Sequence, residues 1–283
     1  MGQKKQLSGA AKRKKQKEKE EAIAEAAADL ERLKLGPTAL WTGLVLHHRD
    51  IFVSHVLPKL NETDQFLFAD ANTESWDLLE YAGIDVSKQR WAVHECSSIS
   101  TLEWAWNFMK WGEKFDDGTV RDHAWFCKEV ARTNKLELLK WVREEKKCEW
   151  DEDTINAAAL VGNLEMLKYC FANDCPYDEM TTCDEAAGRG YLDCLRFLFN
   201  KVKPSDDAKA DCVVHSVFEG HLDCLKYLGE EAKAPLDDWR HIAHARYFEH
   251  TECLHYLREK GCPELTDEQY ATVVNYYRAN EQR

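Results

Sequence analysis

The chain has 283 residues, of which 44% are hydrophobic and 31% charged, and its formal net charge is −13. This hydrophobic content suits a folded protein, and the absence of any run of about 18 apolar residues excludes a membrane-spanning helix. The basic N-terminus lacks the apolar segment of a secretory signal. We therefore expect an intracellular protein, in the cytoplasm or nucleus, whose eleven cysteines stay reduced.

Residues 1–38 are predicted to form a basic disordered arm that runs into a helix. The first 20 residues hold eight of the 38 basic and two of the 51 acidic residues, which leaves 30 basic and 49 acidic residues in the rest. The acidic body would repel phosphates, so nucleic acid is a poor partner for it. A run in the arm can be read equally as a nuclear import signal or as a solvated tail; it consists of Lys12, Arg13, Lys14, Lys15 and Lys17.

Residues 39–92 predict a helical segment distinct from the rest of the chain. Within 56–79 we expect a short helix, a break at 61–63 and a second helix beginning near Asp64, with Thr63 or Asp64 as its cap. The spacing resembles an F-box, although the Leu-Pro pair that usually opens one is absent. Its counterparts here are Val56, Leu57, Leu60, Asp64, Phe68, Asn72 and Trp76.

Two interpretations of 39–92 follow. The resemblance implies docking to a Skp-type adaptor, as in the substrate receptor of a cullin ubiquitin ligase. The other interpretation is a helical cap that covers the apolar face of the first repeat, as every stack of repeats requires.

From about residue 93 the chain repeats a six-residue motif. LELLKW (136–141), LEMLKY (164–169), LDCLRF (192–197) and LDCLKY (222–227) begin 28, 28 and 30 residues apart, and TECLHY (251–256) is a weaker copy 29 residues later. A fixed period in this range is typical of stacked-repeat proteins. STLEWAWNF (100–108) stands where a degenerate first unit would lie, and 266–283 contain only the first half of a unit, which predicts a C-terminal cap.

Each unit predicts a helix, a tight turn, a second helix and a loop. In the unit 151–178, Ile155 and the following alanines share one helical face, and Gly162 permits the left-handed turn that ends the first helix. Leu164, Leu167 and Phe171 then form the apolar stripe of the second helix.

This unit resembles the ankyrin repeat in its AAxxGxLExLKYL core, its Gly turn and its acidic loop, over roughly 93–283. It departs from the standard unit in its period of 28–30 residues, against about 33, and in replacing the usual Thr-Pro-Leu-His opening with acids. The short form looks like divergent ankyrin repeats expanded in some protists and large DNA viruses. The resemblance implies an all-α solenoid of ankyrin-like helix-turn-helix repeats with an N-terminal helical cap, whose inter-repeat β-hairpins are shortened or lost.

The acids and cysteines follow the repeat, which favours structural roles for both. Paired acids at five predicted helix starts are interpreted as caps in the positive end of the helix dipole. They are Asp151 and Glu152, Asp178 and Glu179, Asp206 and Asp207, Asp237 and Asp238, and Asp267 and Glu268. Three cysteines occupy a slot filled elsewhere by Leu138 and Met166, which predicts core positions for Cys194, Cys224 and Cys253.

No cofactor and no catalytic activity is predicted. The sequence contains no GxxxxGK[ST], GxSxG, HExxH or CxxC pattern. Residues 241–262, rich in His and Cys, remain as a metal-binding alternative, with His241 and His244 on one helical face but no second converging pair.

The predicted function is therefore binding of an unidentified partner protein on the repeat face. Aromatic and cationic residues near loops and first helices would anchor the partner, since these residue types dominate interfaces. The candidates are Trp150, Tyr177, Trp239, Arg240 and His244. Packing between loops is the competing explanation for the aromatic ones.

Overall fold

The computed structural model describes residues 47–71, 73–85 and 91–281. These residues contain fifteen α-helices and no β-strand, so the expected all-α class is confirmed. None of these helices is long and apolar enough to cross a membrane. The chain divides into two compact units, Met1–Trp91 and Ala92–Arg283. The predictions for the arm at 1–38, including Lys12, Arg13, Lys14, Lys15 and Lys17, and for Asn72 lie outside the described residues.

Unit 1 has a small apolar core under short helices. Helix α1 (Arg49–Ile51) continues into a π-helix (Phe52–Val56) and a 3-10 turn (Leu57–Lys59), followed by α2 (Glu62–Ala71) and α3 (Thr73–Tyr81). The core consists of Phe52, Leu57, Ala69, Leu78 and Leu79.

The start of α2 differs from the prediction. Asn61 Oδ1 accepts a hydrogen bond from the backbone N–H of Asp64 at 2.7 Å, and the helix begins at Glu62. Neither Thr63 nor Asp64 is therefore the cap. Thr63 is instead buried within the helix, and an amide side chain makes the capping contact.

Unit 2 is built from a 3-10 turn and twelve α-helices within 92–281. The turn is Val93–Glu95, and the helices are α4 (Ile99–Phe108), α5 (His123–Arg132), α6 (Leu136–Glu144), α7 (Glu152–Leu160), α8 (Leu164–Ala172), α9 (Glu179–Gly188), α10 (Leu192–Val202), α11 (Asp206–Phe218), α12 (Leu222–Glu230), α13 (Trp239–Tyr247), α14 (Thr251–Glu259) and α15 (Asp267–Glu281). The loop between α4 and α5 carries an isolated β-bridge between Lys114 and Val120.

The helices of unit 2 form two rows. In the first row α5, α7, α9, α11, α13 and α15 each pack against the next; in the second row α4 packs on α6, and α8, α10, α12 and α14 pack in succession. The two helices of each consecutive pair also pack against each other. Fully buried alanines lie in the first row, where their small side chains permit close approach of the backbones, and include Ala131, Ala158, Ala159, Ala186 and Ala187.

The repeated motif supplies the core of the second row. At the slot that holds Leu138 and Met166, three cysteines are also at most 2% exposed, as predicted: Cys194, Cys224 and Cys253. A slot that accepts Leu, Met and Cys is an apolar one, and there Cys acts as a small hydrophobic residue.

A second set of cysteines lies in the loops of three of the five helix pairs. The thiols of Cys148, Cys175 and Cys262 lie 3.2, 3.4 and 3.3 Å from backbone carbonyl oxygens at the starts of α5, α7 and α13, to which they donate. Each loop is thereby held against the N-terminal end of the first-row helix of its own pair.

The acids at the helix starts cap three of the five helices for which they were predicted. Asp151, Asp178 and Asp238 each accept a backbone N–H of the first turn. The capping prediction was wrong for α11 and α15, where hydroxyl groups one residue earlier perform this role: Ser205 accepts from Ala208, and Thr266 accepts from Gln269. The acid pairs of these two helices do lie in the first turn, in the positive end of the helix dipole, as predicted. At the start of α11 the residue with extended backbone just before the helix is Ser205, not an acid.

The turns inside three pairs interlock with the following pair. Their glycines have positive φ angles of 69°, 75° and 79°, and a Cβ there would lie 2.5–2.6 Å from an aromatic or imidazole ring of the next pair. These contacts are Gly162 with Tyr191, Gly190 with His221, and Gly220 with His250. In the equivalent turns of the first and last pairs the positive-φ residue is Asn134 or Glu249.

Candidate functional site

A pocket of about 310 Å³ opens between the first-row helices α11 and α13 and the loop before α13. Its lining combines acids, imidazoles and small apolar groups: Ala210, Asp211, Val214, Pro235, Asp237, Asp238, Arg240, His241 and His244. Two of the residues predicted to bind a partner, Arg240 and His244, are among them.

Two imidazoles line the pocket with unsatisfied nitrogens. His241 is only 2% exposed, and the Nδ1 atoms of both His241 and His244 are buried without a hydrogen-bond partner in the described part of the chain. Burial lowers the pKa of His241 to about 4 and also lowers the pKa of His244. Both rings are therefore uncharged at neutral pH, and each has one nitrogen able to accept a hydrogen bond.

The acids of the pocket outnumber its single cation. The guanidinium of Arg240 donates from Nε to Oδ2 of Asp238 at 2.7 Å, while the Arg240 backbone N–H donates to Oδ1 at 2.9 Å. Burial raises the pKa of Asp238, but the hydrogen bonds from Arg240 outweigh burial and hold that pKa below its usual value. The carboxylates of Asp211 and Asp237 therefore leave the pocket with an excess of negative charge.

A further ion pair lies on the neighbouring first-row helices. His215 Nδ1 is 2.5 Å from Asp184 Oδ1, between α11 and α9, and 3.2 Å from the backbone oxygen of Asp211. The hydrogen bond with Asp184 raises the pKa of His215 above its ordinary value. Asp184 therefore has a basic partner, as Asp238 has in Arg240.

The other predicted partner-binding residues lie elsewhere. The guanidinium carbon of Arg143 is 3.9 Å from the ring centroid of Trp150, and the edge of Tyr169 also meets this ring. Trp150 is therefore half-buried, and its ring contacts second-row helices of two successive pairs, α6 through Arg143 and α8 through Tyr169. Tyr177 is 46% exposed beside Phe171, and Trp239 is half-buried at the start of α13.

The residues of the F-box-like pattern are distributed between the interior and the surface of unit 1. Leu57 is 1% exposed in the core, Leu60 is half-buried against it and Asp64 is half-buried. Trp76 is 42% exposed, and its indole Nε1 lies 3.4 Å from Glu80 Oε1. Because Leu57 is used by the core, it is not available to contact an adaptor.

The structure gives no support for the predicted alternative of a metal site in 241–262. Within 47–71, 73–85 and 91–281, no group of three or more His, Cys, Asp or Glu side chains converges so that it could hold a metal ion. Cys253 and Cys262, from the predicted stretch 241–262, are buried in the apolar core and at a loop carbonyl.

The sequence did not indicate Asp211 as a site residue. It precedes His241 by 30 residues, and only the packing of α11 against α13 brings the two to one pocket. His241 did stand out in the sequence, but as a potential metal ligand. No protein-family model matches the chain, and no curated protein matches it.

Proposed function

We propose that unit 2 is a solenoid of ankyrin-like helix-turn-helix repeats that binds a partner protein, without catalysis, through its first row and the loops that precede those helices. The observation that carries the proposal is the succession of five helix pairs in which each first-row helix packs on the next. Stacks of this kind present an extended surface in place of a single deep cavity.

The partner surface is expected to be basic. Acids precede or open successive first-row helices, so like-charge repulsion disfavours an acidic partner and attraction speeds encounter with a basic one. These residues include Asp122, Asp151, Asp178, Asp207, Asp237 and Asp267.

Quantitative affinity capture with the full chain tests this proposal. The double variant Tyr177→Ala/Asp237→Asn removes an exposed aromatic ring and an exposed carboxylate from the first-row side of unit 2. Its matched control, Phe108→Ala/Asp193→Asn, removes an exposed aromatic ring and an exposed carboxylate from second-row helices. We expect proteins that the wild type captures to be lost by the first-row variant, kept by the control and weakened by added salt.

Two outcomes would contradict the proposal. One is equal capture by the first-row variant and its control, because the bound surface would then lie elsewhere. The other is loss of all capture on removal of residues 1–46, because binding would then belong to the basic segment and not to the repeats.

A further inference from the structure

The pocket between α11 and α13 has the chemistry to recognise one particular side chain. Resting on the proposed function above, we propose that it receives an arginine side chain of the partner protein. The guanidinium would lie among Asp211, Asp237 and the two imidazoles, and its methylene stem would pack on the apolar part of the lining.

The negative charge of the pocket lining favours a cationic ligand. The lining contains three carboxylates and one guanidinium, and that guanidinium is already engaged by Asp238. An anion would be repelled by Asp211 and Asp237, whereas a cation gains charge-assisted hydrogen bonds from them. A metal cation is disfavoured because no three ligand side chains converge anywhere in the described residues.

The imidazoles supply an independent reason to expect a ligand. Buried polar atoms in native proteins are nearly always hydrogen-bonded, and each exception calls for an explanation. Here the two residues that carry such an exception at Nδ1, His241 and His244, line the same pocket one helical turn apart. Burial keeps both rings uncharged at neutral pH, so they do not repel a cation and can accept its hydrogen bonds.

The arrangement of acceptors favours a guanidinium over an ammonium group. Acceptors come from α11 (Asp211), from the loop (Asp237) and from α13 (His241 and His244). A guanidinium carries five N–H donors in a rigid plane and is more weakly hydrated than an ammonium, so it can serve several separated acceptors in a partly buried site.

The size and apolar lining of the pocket also suit one long side chain. A volume of about 310 Å³ lies at the lower end of the range of small-molecule sites, about 300–1,000 Å³. Ala210, Val214 and Pro235 provide the apolar surface against which the methylene stem of an arginine packs.

A titration of the full-length protein with small probes tests the proposal directly. N-acetylarginine amide is added to protein labelled with ¹⁵N in its histidine rings, and the imidazole resonances are followed by NMR. N-acetylcitrulline amide, which has nearly the same shape but no charge, is the control. We expect the arginine probe to shift the His241 and His244 resonances in a saturable manner and the citrulline probe to leave them unchanged.

Variants locate the binding. Asp237→Asn and Asp211→Asn each remove one carboxylate of the pocket, and each should weaken the arginine probe about tenfold, as expected for loss of a charge-assisted hydrogen bond. Asp207→Asn removes the same charge from the exposed first turn of α11 outside the pocket and should change the affinity less than twofold, since an exposed charge at that position contributes little. Unchanged far-UV circular dichroism would show that each variant is folded.

Three results would overturn the assignment: no saturable shift with arginine, equal shifts with citrulline or N-acetyllysine amide, or equal losses in Asp207→Asn and Asp237→Asn. The proposed function is tested separately by capture. Absence of probe binding alongside first-row-dependent capture would reject the arginine pocket alone. Probe binding without such capture would reject the partner-binding role of the repeats.

Discussion

Replacement of Gly190 by alanine tests whether the interlocked turns stabilise contacts between neighbouring repeats. Gly190 has a φ of 75°, and an added Cβ would lie 2.5 Å from the His221 ring of the next pair. A non-glycine residue in the left-handed region costs about 1–2 kcal/mol, and overpacking a tight contact costs about 1–3 kcal/mol. We therefore expect Gly190→Ala to lower the free energy of unfolding by about 2–5 kcal/mol.

Gly261→Ala separates the two contributions. Gly261 has a similar φ of 77°, but nothing lies within 4 Å of its added Cβ, so this variant pays only the conformational cost of about 1–2 kcal/mol. Urea denaturation followed by far-UV circular dichroism measures both variants. The excess loss in Gly190→Ala is the packing contribution of the His221 ring.

A double-mutant cycle completes the test. In a His221→Ala background the ring is absent, and Gly190→Ala should then cost no more than Gly261→Ala. The reasoning is refuted if Gly190→Ala destabilises the protein no more than Gly261→Ala does, or if removal of the His221 ring leaves the cost of Gly190→Ala unchanged.

Two further predictions concern a cap and a buried imidazole. Ser205→Ala should destabilise the protein by about 1 kcal/mol because it removes the cap of α11, whereas Asp206→Ala should cost less than about 0.5 kcal/mol; equal urea midpoints would contradict this assignment. Because the pKa of His241 is lowered in the folded protein, the unfolded chain binds more protons at this residue below about pH 6.5. The free energy of unfolding should therefore fall as the pH drops from about 6.5 towards about 4, by up to roughly 3 kcal/mol at the lower limit. Urea midpoints measured at several pH values should show this loss in the wild type and in the control variant His255→Asn, which changes an exposed histidine. The loss should be much smaller in His241→Asn. An identical pH dependence in all three proteins would be inconsistent with the lowered pKa of His241.

The features that recur with the repeat were predictable from the sequence. Periodic leucines located the second-row helices, and the exchange of Leu138 for cysteine in sister units correctly indicated a core slot. Recurrence of apolar residues at helical spacing is a local feature of the sequence. It can therefore be recognised without knowing which helices pack together in the fold.

Features that depend on the backbone conformation at a helix start, or on which side chains meet in the folded chain, were not predictable. Ser205 and Asp206 are both good capping residues, and only the backbone conformation decides which of them caps α11. Trp150 was likewise predicted to bind a partner, because the residues beside it in the sequence do not indicate that Arg143 packs on its ring. The pocket itself joins residues 30 positions apart, which come together only through the packing of α11 on α13.

The cysteines give this protein a native set of reporters for local opening. Eleven free thiols are buried, and ten of them fall two to each of the five helix pairs: Cys127 and Cys148, Cys170 and Cys175, Cys183 and Cys194, Cys212 and Cys224, and Cys253 and Cys262. Burial raises the pKa of Cys194, Cys224 and Cys253 to about 11, so the reactive thiolate is scarce while a pair stays closed. The rate at which each thiol is alkylated therefore measures how often its own pair opens, and a bound partner would slow alkylation at the pairs that it covers.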